Sequence, residues 1–402
     1  MPEEATHILI SFCNTTTGAP SLGLFDIASG TVNVLRVPDE LDMHDARGIA
    51  VSDRYVFVTT GRSKAKDRGA QQPAGTSFVF VLNRADLGLV TSYRCQTVVD
   101  AHSLHLSADE LLVTSTGTDE VVRMTLRGSD VMREETLWRP DPAGPRSDVH
   151  HLNALGSWRG RLVCSGFGRK VDQLWSSAAN GFIVDIETGE RLASGIGHPH
   201  TLIDVGPTLA YCESSTSTIR LLNAGHVQQV PGYARGLCRI GDRLFAGTSR
   251  GRRASNRSET LTNRGDPGQT AGCCSLVELH LQTLEIRRLI DLELVGWEVY
   301  DLQPVSGVAG WPIAGDLQWR DSCIHGVRSD FEARDQTVSW LHSEVAIRDA
   351  EVTRLHREVA ERDRTIEHLH KEVASRDRTV EHLHKEVATR DRIVEELRHS
   401  DS

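Results

Sequence analysis

Short runs of alternating apolar and polar residues fill the first 305 positions of the chain, and turn residues end most of them. Alternation with a period of two is typical of β-strands that bury one face. One arrangement recurs: a polar residue opens a strand, a turn follows, and a second strand begins about nine residues later. The copies are ARGIAVSDRYVFVTTG, AHSLHLSADELLVTSTG, HHLNALGSWRGRLVCSG, PHTLIDVGPTLAYCES and ARGLCRIGDRLFAGTS, starting at Ala46, Ala101, His150, Pro199 and Ala234.

Each copy is followed by two more β-type runs, which makes four short strands in a unit of some 40–60 residues. Such a unit is typical of a β-propeller blade. Five units are complete, and a sixth is split between WEVYDLQPV at 297–305 and three runs within residues 6–37. This closure removes the exposed sheet edges. The pattern therefore predicts an all-β, six-bladed β-propeller over residues 1–305, closed by its N-terminal strands, whereas a pair of β-sandwiches would not explain the recurring spacing.

A heptad pattern dominates the chain beyond residue 330, where neither Gly nor Pro occurs. Four copies of a 14-residue unit place Val or Ile at every a position from Val338 to Val394. Sustained heptads predict a long α-helical coiled coil at 331–399, joined to the propeller by a linker at 306–330. The d positions alternate between Leu (341, 355, 369, 383, 397) and Arg (348, 362, 376, 390).

The tail predicts a homo-oligomer, because β-branched residues at a and Leu at d favour a parallel dimer. Arginine at alternate d positions weakens that seam, and Glu358 against Asp363 would repel in a parallel pair. The alternative is a single solvated helix held by i,i+4 ion pairs. Both alternatives stay open.

Charge and composition exclude several classes of function. The 402 residues carry 45 Lys and Arg against 55 Asp and Glu, a net charge of −10, which lacks the basic footprint of a nucleic-acid-binding protein. No apolar run approaches the ~18 residues of a membrane span. The N-terminus lacks a basic segment before its apolar run, and the eight cysteines form no CxxC pair. We therefore expect a cytoplasmic protein with reduced thiols.

Candidate chemistry lies where the innermost strands open, because these strands face the central channel of a propeller. The spacing places five polar residues in one ring, with Asp301 as the expected sixth member, and His151 lies two residues before Asn153 on the same strand face. The five are Arg47, His102, Asn153, His200 and Arg235.

Three interpretations of this ring are open. His102, His151 and His200 would bind a divalent metal, zinc or iron, through neutral imidazoles. Alternatively, Arg47 and Arg235 would hold a carboxylate or phosphate while the histidines orient the rest of the ligand. In the third interpretation the ring is a satisfied polar network around buried water.

Catalytic motifs are missing from the sequence, which contains no GxSxG, P-loop, HExxH or GxGxxG after a strand. Whether the protein is an enzyme is therefore left open, and no catalytic residue is assigned. If it is one, the metal interpretation predicts a lyase or hydrolase in which a metal-bound water loses its proton near neutral pH.

At these same residues the sequence resembles a bacterial family of conserved hypothetical, propeller-like proteins whose domain has no assigned function. The resemblance covers roughly residues 6–305 and is carried by DAHSLHLSADELLVTSTG, VHHLNALG, GHPHTLIDVGPTLAYCES, PGYARGLCRIGDRLFAGTSRGR and YDLQPVSGV. It implies the propeller fold but no activity. It also implies that the axial site contains His102, His151, Asn153, His200, Arg235, Tyr300 and Asp301.

The leading hypothesis is a cytoplasmic bacterial propeller, oligomerised by its coiled coil, whose axial pocket binds a small anionic or polar ligand. The alternative is the metal-dependent lyase or hydrolase at the same pocket. A third class is a scaffold that binds protein partners through the outer face of the propeller and through the coil.

Overall fold

The computed structural model describes residues 5–13, 21–35, 43, 45–61, 76–172, 175–250, 272–308 and 316–400. Within these ranges it contains 24 β-strands, three short 3₁₀ helices and one long α-helix. The strands are β1 (His7–Phe12), β2 (Leu22–Asp26), β3 (Val32–Leu35), β4 (Ala46–Val51), β5 (Tyr55–Thr60), β6 (Thr76–Asn83), β7 (Leu89–Val99), β8 (Ala101–Ser107), β9 (Glu110–Ser115), β10 (Glu120–Arg127), β11 (Asp130–Trp138), β12 (Leu152–Trp158), β13 (Arg161–Gly166), β14 (Gly181–Asp185), β15 (Arg191–Ile196), β16 (Pro199–Asp204), β17 (Leu209–Glu213), β18 (Thr218–Leu221), β19 (Val227–Gln229), β20 (Tyr233–Ile240), β21 (Arg243–Ser249), β22 (Ser275–His280), β23 (Ile286–Asp291) and β24 (Val299–Val305).

Six four-stranded antiparallel sheets form the blades of the propeller. Blades 1 to 5 are β4–β7, β8–β11, β12–β15, β16–β19 and β20–β23, each with its first strand innermost. The inner strands pack beside one another in the order β4, β8, β12, β16, β20 and β24, and β24 packs against β4. The ring is therefore closed, and the predicted six-bladed propeller is confirmed.

Blade 6 joins the two ends of the propeller. Its strand order is β24, β1, β2 and β3, so its innermost strand follows the other blades in sequence and its outer strands precede them. β24 pairs antiparallel with β1 from His7 opposite Val305 to Ser11 opposite Asp301. This ladder confirms the predicted closure by the N-terminal strands.

The hydrophobic core is distributed around the ring, because each sheet buries both faces against its neighbours. Phe25 of blade 6 and Phe245 of blade 5 show this contact, with ring centroids 6.3 Å apart and both side chains fully buried. Cysteines behave as small apolar residues here, and Cys164, Cys212 and Cys274 have no exposed surface.

Every inner strand carries a shift of register near its start, which is a β-bulge. In blade 1 the ladder passes from Ala46 opposite Thr60 directly to Ile49 opposite Val58. The bulge releases the intervening residues, Arg47 and Gly48, from the regular pairing. Equivalent shifts lie at Ala101/Leu104, Leu152/Leu155, His200/Leu202, Ala234/Leu237 and Ser11/Phe12, the last opposite β24.

The tail is one continuous helix, α1 (Asp316–Ser400). It begins before the predicted start near Phe331, because no proline follows Pro312 to interrupt it. Residues 309–315 of the predicted linker lie outside the described residues. The chain forms two compact units, one over Met1–His325 and the other over Gly326–Ser402. No helix in the described ranges is both long and apolar enough to cross a membrane.

Candidate functional site

The bulges bring the ring residues into equivalent places on the six inner strands. The register between β1 and β24 changes the sixth member of the ring. Ser11 pairs with Asp301 and Phe12 with Val299, which leaves Tyr300 outside the ladder. Tyr300 therefore holds the ring position that we assigned to Asp301, and Asp301 is the next residue. The ring consists of Arg47, His102, Asn153, His200, Arg235 and Tyr300.

In blades 2, 4 and 6 the residue after the ring member forms a hydrogen bond with the next blade. Ser103 Oγ accepts a hydrogen bond from the Leu155 N–H at 3.2 Å, and Asp301 Oδ2 accepts one from the Ile49 N–H at 2.8 Å. Where this residue is Gly48, the backbone itself fills the space, since a Cβ would lie 2.6 Å from Leu104 N. The inner strands are thus joined directly around the axis.

Arg47 is enclosed by acceptors. Its Nη2 lies 2.9 Å from Asp45 Oδ2, its Nη1 lies 2.8 Å from Asp100 Oδ1, and the side chain is buried. Burial alone would lower the pKa of Arg47, but the two carboxylates raise it well above its usual value. Arg47 is therefore charged and already neutralised by its neighbours.

Arg235 has much weaker pairing. Its guanidinium lies over the rings of Tyr233 and Tyr300, 5.1 and 5.0 Å from their centroids, and its Nη1 is 3.5 Å from Glu298 Oε2. At that distance the contact with Glu298 is electrostatic rather than a directed hydrogen bond. Among the described side chains, Arg235 Nε and Nη1 and the Tyr300 hydroxyl are buried with no hydrogen-bond partner.

His102 and His200 lie between these two arginines as neutral imidazoles. His102 Nδ1 is 3.1 Å from Asn153 Nδ2, and His200 Nδ1 is 2.7 Å from Ser214 Oγ. Burial lowers the pKa of His102 and of His200 well below the usual value; the charge of Arg47 lowers that of His102 further, and the charge of Arg235 lowers both. Both rings can therefore donate and accept hydrogen bonds at neutral pH.

His151 belongs to the same cluster through its ring. Its centroid lies 5.1 Å from that of His102, in an edge-to-face arrangement, and its Nδ1 lies 3.0 Å from Asp148 Oδ1. On its other side it packs against Phe167 and Trp175, with centroids 4.6 and 4.4 Å away. His151 thus connects the ring to the loop that follows β13.

Phe167 and Trp175 of that loop are candidates that sequence reasoning missed, and both contact His198, which lies two residues before the ring member His200. His198 Nε2 donates to the Trp175 carbonyl at 2.9 Å, and its Nδ1 lies 3.1 Å from the Tyr233 hydroxyl. Phe167 stacks on His198 with centroids 4.4 Å apart. Burial lowers the pKa of His198 to about 4, which keeps it neutral. The sequence indicates these residues only by their position. Their loop follows the second strand of a blade, and such loops lie at the end of the propeller where the inner strands begin.

A cavity of about 260 Å³ extends from the ring along the inner strands towards their C-terminal ends. His102, Asn153, His200, Tyr300 and Asp301 line it together with apolar side chains that include Leu104 and Leu202. Three of the predicted residues, Arg47, His151 and Arg235, do not line this cavity. The guanidinium groups of Arg47 and Arg235 lie over the ring of Tyr300, and the ring of His151 packs against that of His102. The eight predicted residues therefore form one cluster, of which five face the cavity.

The metal interpretation finds no ready ligand set. His102, His151 and His200 share the cluster, yet across the described ranges no group of three or more His, Cys, Asp or Glu side chains is arranged to hold a metal ion. The hypothesis that these histidines bind zinc or iron thus rests on the sequence pattern.

Comparison with known proteins gives a family and a set of distant structures. A family model described as a domain of unknown function (DUF4915) matches residues 85–311. No curated protein matches the chain.

Similar solved structures include a chain of a nidogen/laminin complex, with 14% identity over 74% of this chain and 97% of that one and a TM-score of 0.48. A protein of unknown function from Bacteroides caccae has 9% identity, with coverage of 75% and 99% and a TM-score of 0.48. A putative 6-phosphogluconolactonase from Bacteroides fragilis NCTC 9343 has 13% identity, with coverage of 76% and 99% and a TM-score of 0.46.

Proposed function

The chain belongs to the DUF4915 family, whose domain has no assigned function, and we propose that its propeller binds a small anionic or polar ligand at the axial ring. We also propose that its C-terminal helix joins the chain to further copies of itself. The observation that carries the first proposal is the set of buried, unused donors on Arg235 and Tyr300.

Unused donors at this depth are costly. A buried polar group without a partner costs roughly 1–3 kcal/mol, and here the guanidinium and the phenol of neighbouring ring positions both have such atoms. A carboxylate or phosphate oxygen would accept from Arg235 and from Tyr300 at once, and guanidinium groups hold such anions in a directed, two-pronged way.

Charge balance also favours an anion at Arg235. Arg47 has two carboxylates within 3 Å of its guanidinium, whereas Arg235 has one at 3.5 Å. The histidines between them are neutral, so that they add hydrogen-bonding groups without adding charge. The cavity of about 260 Å³, which Tyr300 lines and Arg235 does not, is close to the lower end of the roughly 300–1,000 Å³ typical of small-molecule pockets.

The enzymatic alternative, a metal-dependent lyase or hydrolase, has less support because no ligand set for a metal is assembled in the described part of the chain. It would use His102, His151 and His200. Binding of protein partners and a cytoplasmic location stay predictions from the sequence.

The test is binding by the full chain and by matched arginine variants. Small carboxylates and phosphate esters are screened for an increase in melting temperature, and the best is titrated by calorimetry. Arg235→Ala should abolish binding, His151→Ala should weaken it, and Arg239→Ala, on an exposed position of the same strand, should leave it unchanged. Equal binding by the Arg235 and Arg239 variants would contradict a binding site at the axial ring. Zinc or iron near one ion per purified chain would favour the enzyme instead.

A further inference from the structure

The tail helix contains two kinds of d position, and their flanking residues differ in a regular way. Each Arg at d follows a Glu at g and precedes an Asp at e, in the repeated motif EVAxRD. Each Leu at d from Leu341 to Leu383 precedes a His at e instead. The four ionic motifs are Glu344–Asp349, Glu358–Asp363, Glu372–Asp377 and Glu386–Asp391.

The apolar stripe between these motifs is exposed. Within residues 345–396, the Val, Ile and Leu side chains at a and d positions are 44–55% exposed. A repeated stripe of this kind along one helix is the seam of a coiled coil, and it needs a partner helix with the same spacing.

In a parallel pair without offset, each d residue faces its own copy, and the flanking positions are g of one helix and e of the other. Arg362 would then lie between Glu358 of its own chain and Asp363 of the second copy. Two arginines in such a layer have four carboxylates around them. Considered alone, the contacts between Glu and Asp would oppose pairing. They lie, however, in the layers where two arginines bring positive charge that the carboxylates neutralise.

The structure shows the intrahelical half of this arrangement. Arg376 Nη2 lies 3.4 Å from Glu372 Oε1, a contact from d back to the preceding g. The interhelical half would come from Asp377 of the second copy.

Building on the proposed self-association, we propose that the partner of α1 is a second copy of this chain, parallel and in register, and that the arginine layers select this register. A slip of one heptad would place every Arg against Leu and its flanking Glu beside His instead of Asp. Antiparallel pairing would set each Arg against a Val or Ile at a. Among parallel pairs, offsets of zero and of 14 residues both keep apolar layers apolar and ionic layers compensated, and the pair without offset keeps the longest overlap of the repeats.

The first experiment tests register by disulfide formation in the full chain. Cys323, which lies in α1, is replaced by Ser, and the other cysteines belong to the propeller. Leu383→Cys, at d, should give covalent dimers under mild oxidation, because residue 383 faces its own copy. Lys385→Cys, on the outer f position of the same turn, is the control and should stay largely uncrosslinked.

The second experiment tests the role of the acidic flanks. Asp363→Asn with Asp377→Asn should raise the dimer dissociation constant roughly tenfold, because four interhelical partners of arginine are lost. The matched variant, Glu367→Gln with Glu381→Gln, removes the same charge from the outer b positions and should leave the constant unchanged. If repulsion between Glu and Asp governed pairing, the Asn variant would bind more tightly.

The outcomes separate the two proposals. A dimer by sedimentation that fails to crosslink at residue 383, or that tightens in the Asn variant, overturns the register but leaves self-association intact. A monomer overturns both. A trimer, or equal crosslinking at residues 383 and 385, also overturns the in-register pair. Ligand binding by the propeller is measured separately and is unaffected by any of these results.

Discussion

Arg47 and Arg235 hold the same ring position on two inner strands, yet their surroundings give them different roles. Arg47 donates to Asp45 and Asp100 at 2.9 and 2.8 Å and leaves only its Nε without a partner, whereas Arg235 leaves both Nε and Nη1 unused. We therefore expect Arg47 to stabilise the ring and Arg235 to hold the proposed ligand.

Replacing Arg47 by Ala should destabilise the protein strongly. The change leaves two buried carboxylates without their cation, and breaking a buried pair costs about 3–5 kcal/mol. Arg235→Ala should change the unfolding free energy much less, because its ion pair with Glu298 is longer. Urea denaturation of both variants measures the difference, and equal losses would contradict the division of roles.

Asp301 predicts a dependence of stability on pH. Burial raises its pKa from 3.8 to about 7, despite the stabilising hydrogen bonds from Ile49 and Leu302 N–H groups. Between those values the folded state keeps a proton that the unfolded chain has lost, so that stability falls as the pH rises through this window. The loss amounts to at most about 4 kcal/mol.

Asp301→Asn should remove that titration. The melting temperatures of variant and wild type are followed by circular dichroism from pH 4 to 8. As the pH rises to 7, the melting temperature of the variant should increase relative to that of wild type. A constant difference over the whole range would show that Asp301 titrates normally.

Residue types in the ring were predictable from sequence, but their partners were not. Arg47 and Arg235 share the local sequence Ala-Arg-Gly, and only Asp45 and Tyr233, two residues before them, distinguish the two locally. The other partners, Asp100 and Glu298, come from distant parts of the chain. The choice between Tyr300 and Asp301 depended on one register shift opposite β24, which strand periodicity does not reveal.

At the scale of elements, hydroxyl groups of second strands hold the start of the next inner strand. Ser165 Oγ donates to the Pro199 carbonyl at 3.2 Å, and Ser249 Oγ donates to the Val299 carbonyl at 3.0 Å. These bonds join each second strand to a backbone carbonyl of the next blade's inner strand near its bulge. Alternation predicted the strands, but it is silent about such bonds because they join residues far apart in the chain.

The helix supplies the prediction at this scale. Replacing Val359, Ile366 and Val373 together by Asp would bury charge in the proposed seam and should yield monomers in sedimentation. Asp at Ala360 and Ser375, on the outer face of the same turns, is the control and should preserve the assembly. An unchanged mass for the seam variant would exclude the tail as the element of self-association.

For the whole molecule, the two ends of the chain should differ in importance. Deleting residues 1–37 removes β1–β3 and leaves β24 with an open edge, so the propeller should fail to fold. Deleting residues 331–402 should leave it folded, because the tail contributes no strand to any blade. Circular dichroism and thermal melting measure both, and an N-terminal deletion as stable as the full chain would contradict the role of blade 6.

The repeat spacing was sufficient to predict six blades and their closure, because every complete blade begins with the same inner strand, turn and second strand. Function was not predictable to the same degree, since a propeller offers an axial site without specifying its chemistry. The heptads located the helix but misplaced its start, because residues 316–330 lack the repeat while containing nothing that stops a helix.

Blade 6 also sets an order of events during synthesis. Its outer strands leave the ribosome first and its inner strand last among the blades, so no partly translated propeller can close. The 85 residues of α1 then take roughly 4–17 s to be made at 5–20 residues per second. The nascent chain thus has that interval to pair β24 with β1 before the complete tail is available for the proposed self-association.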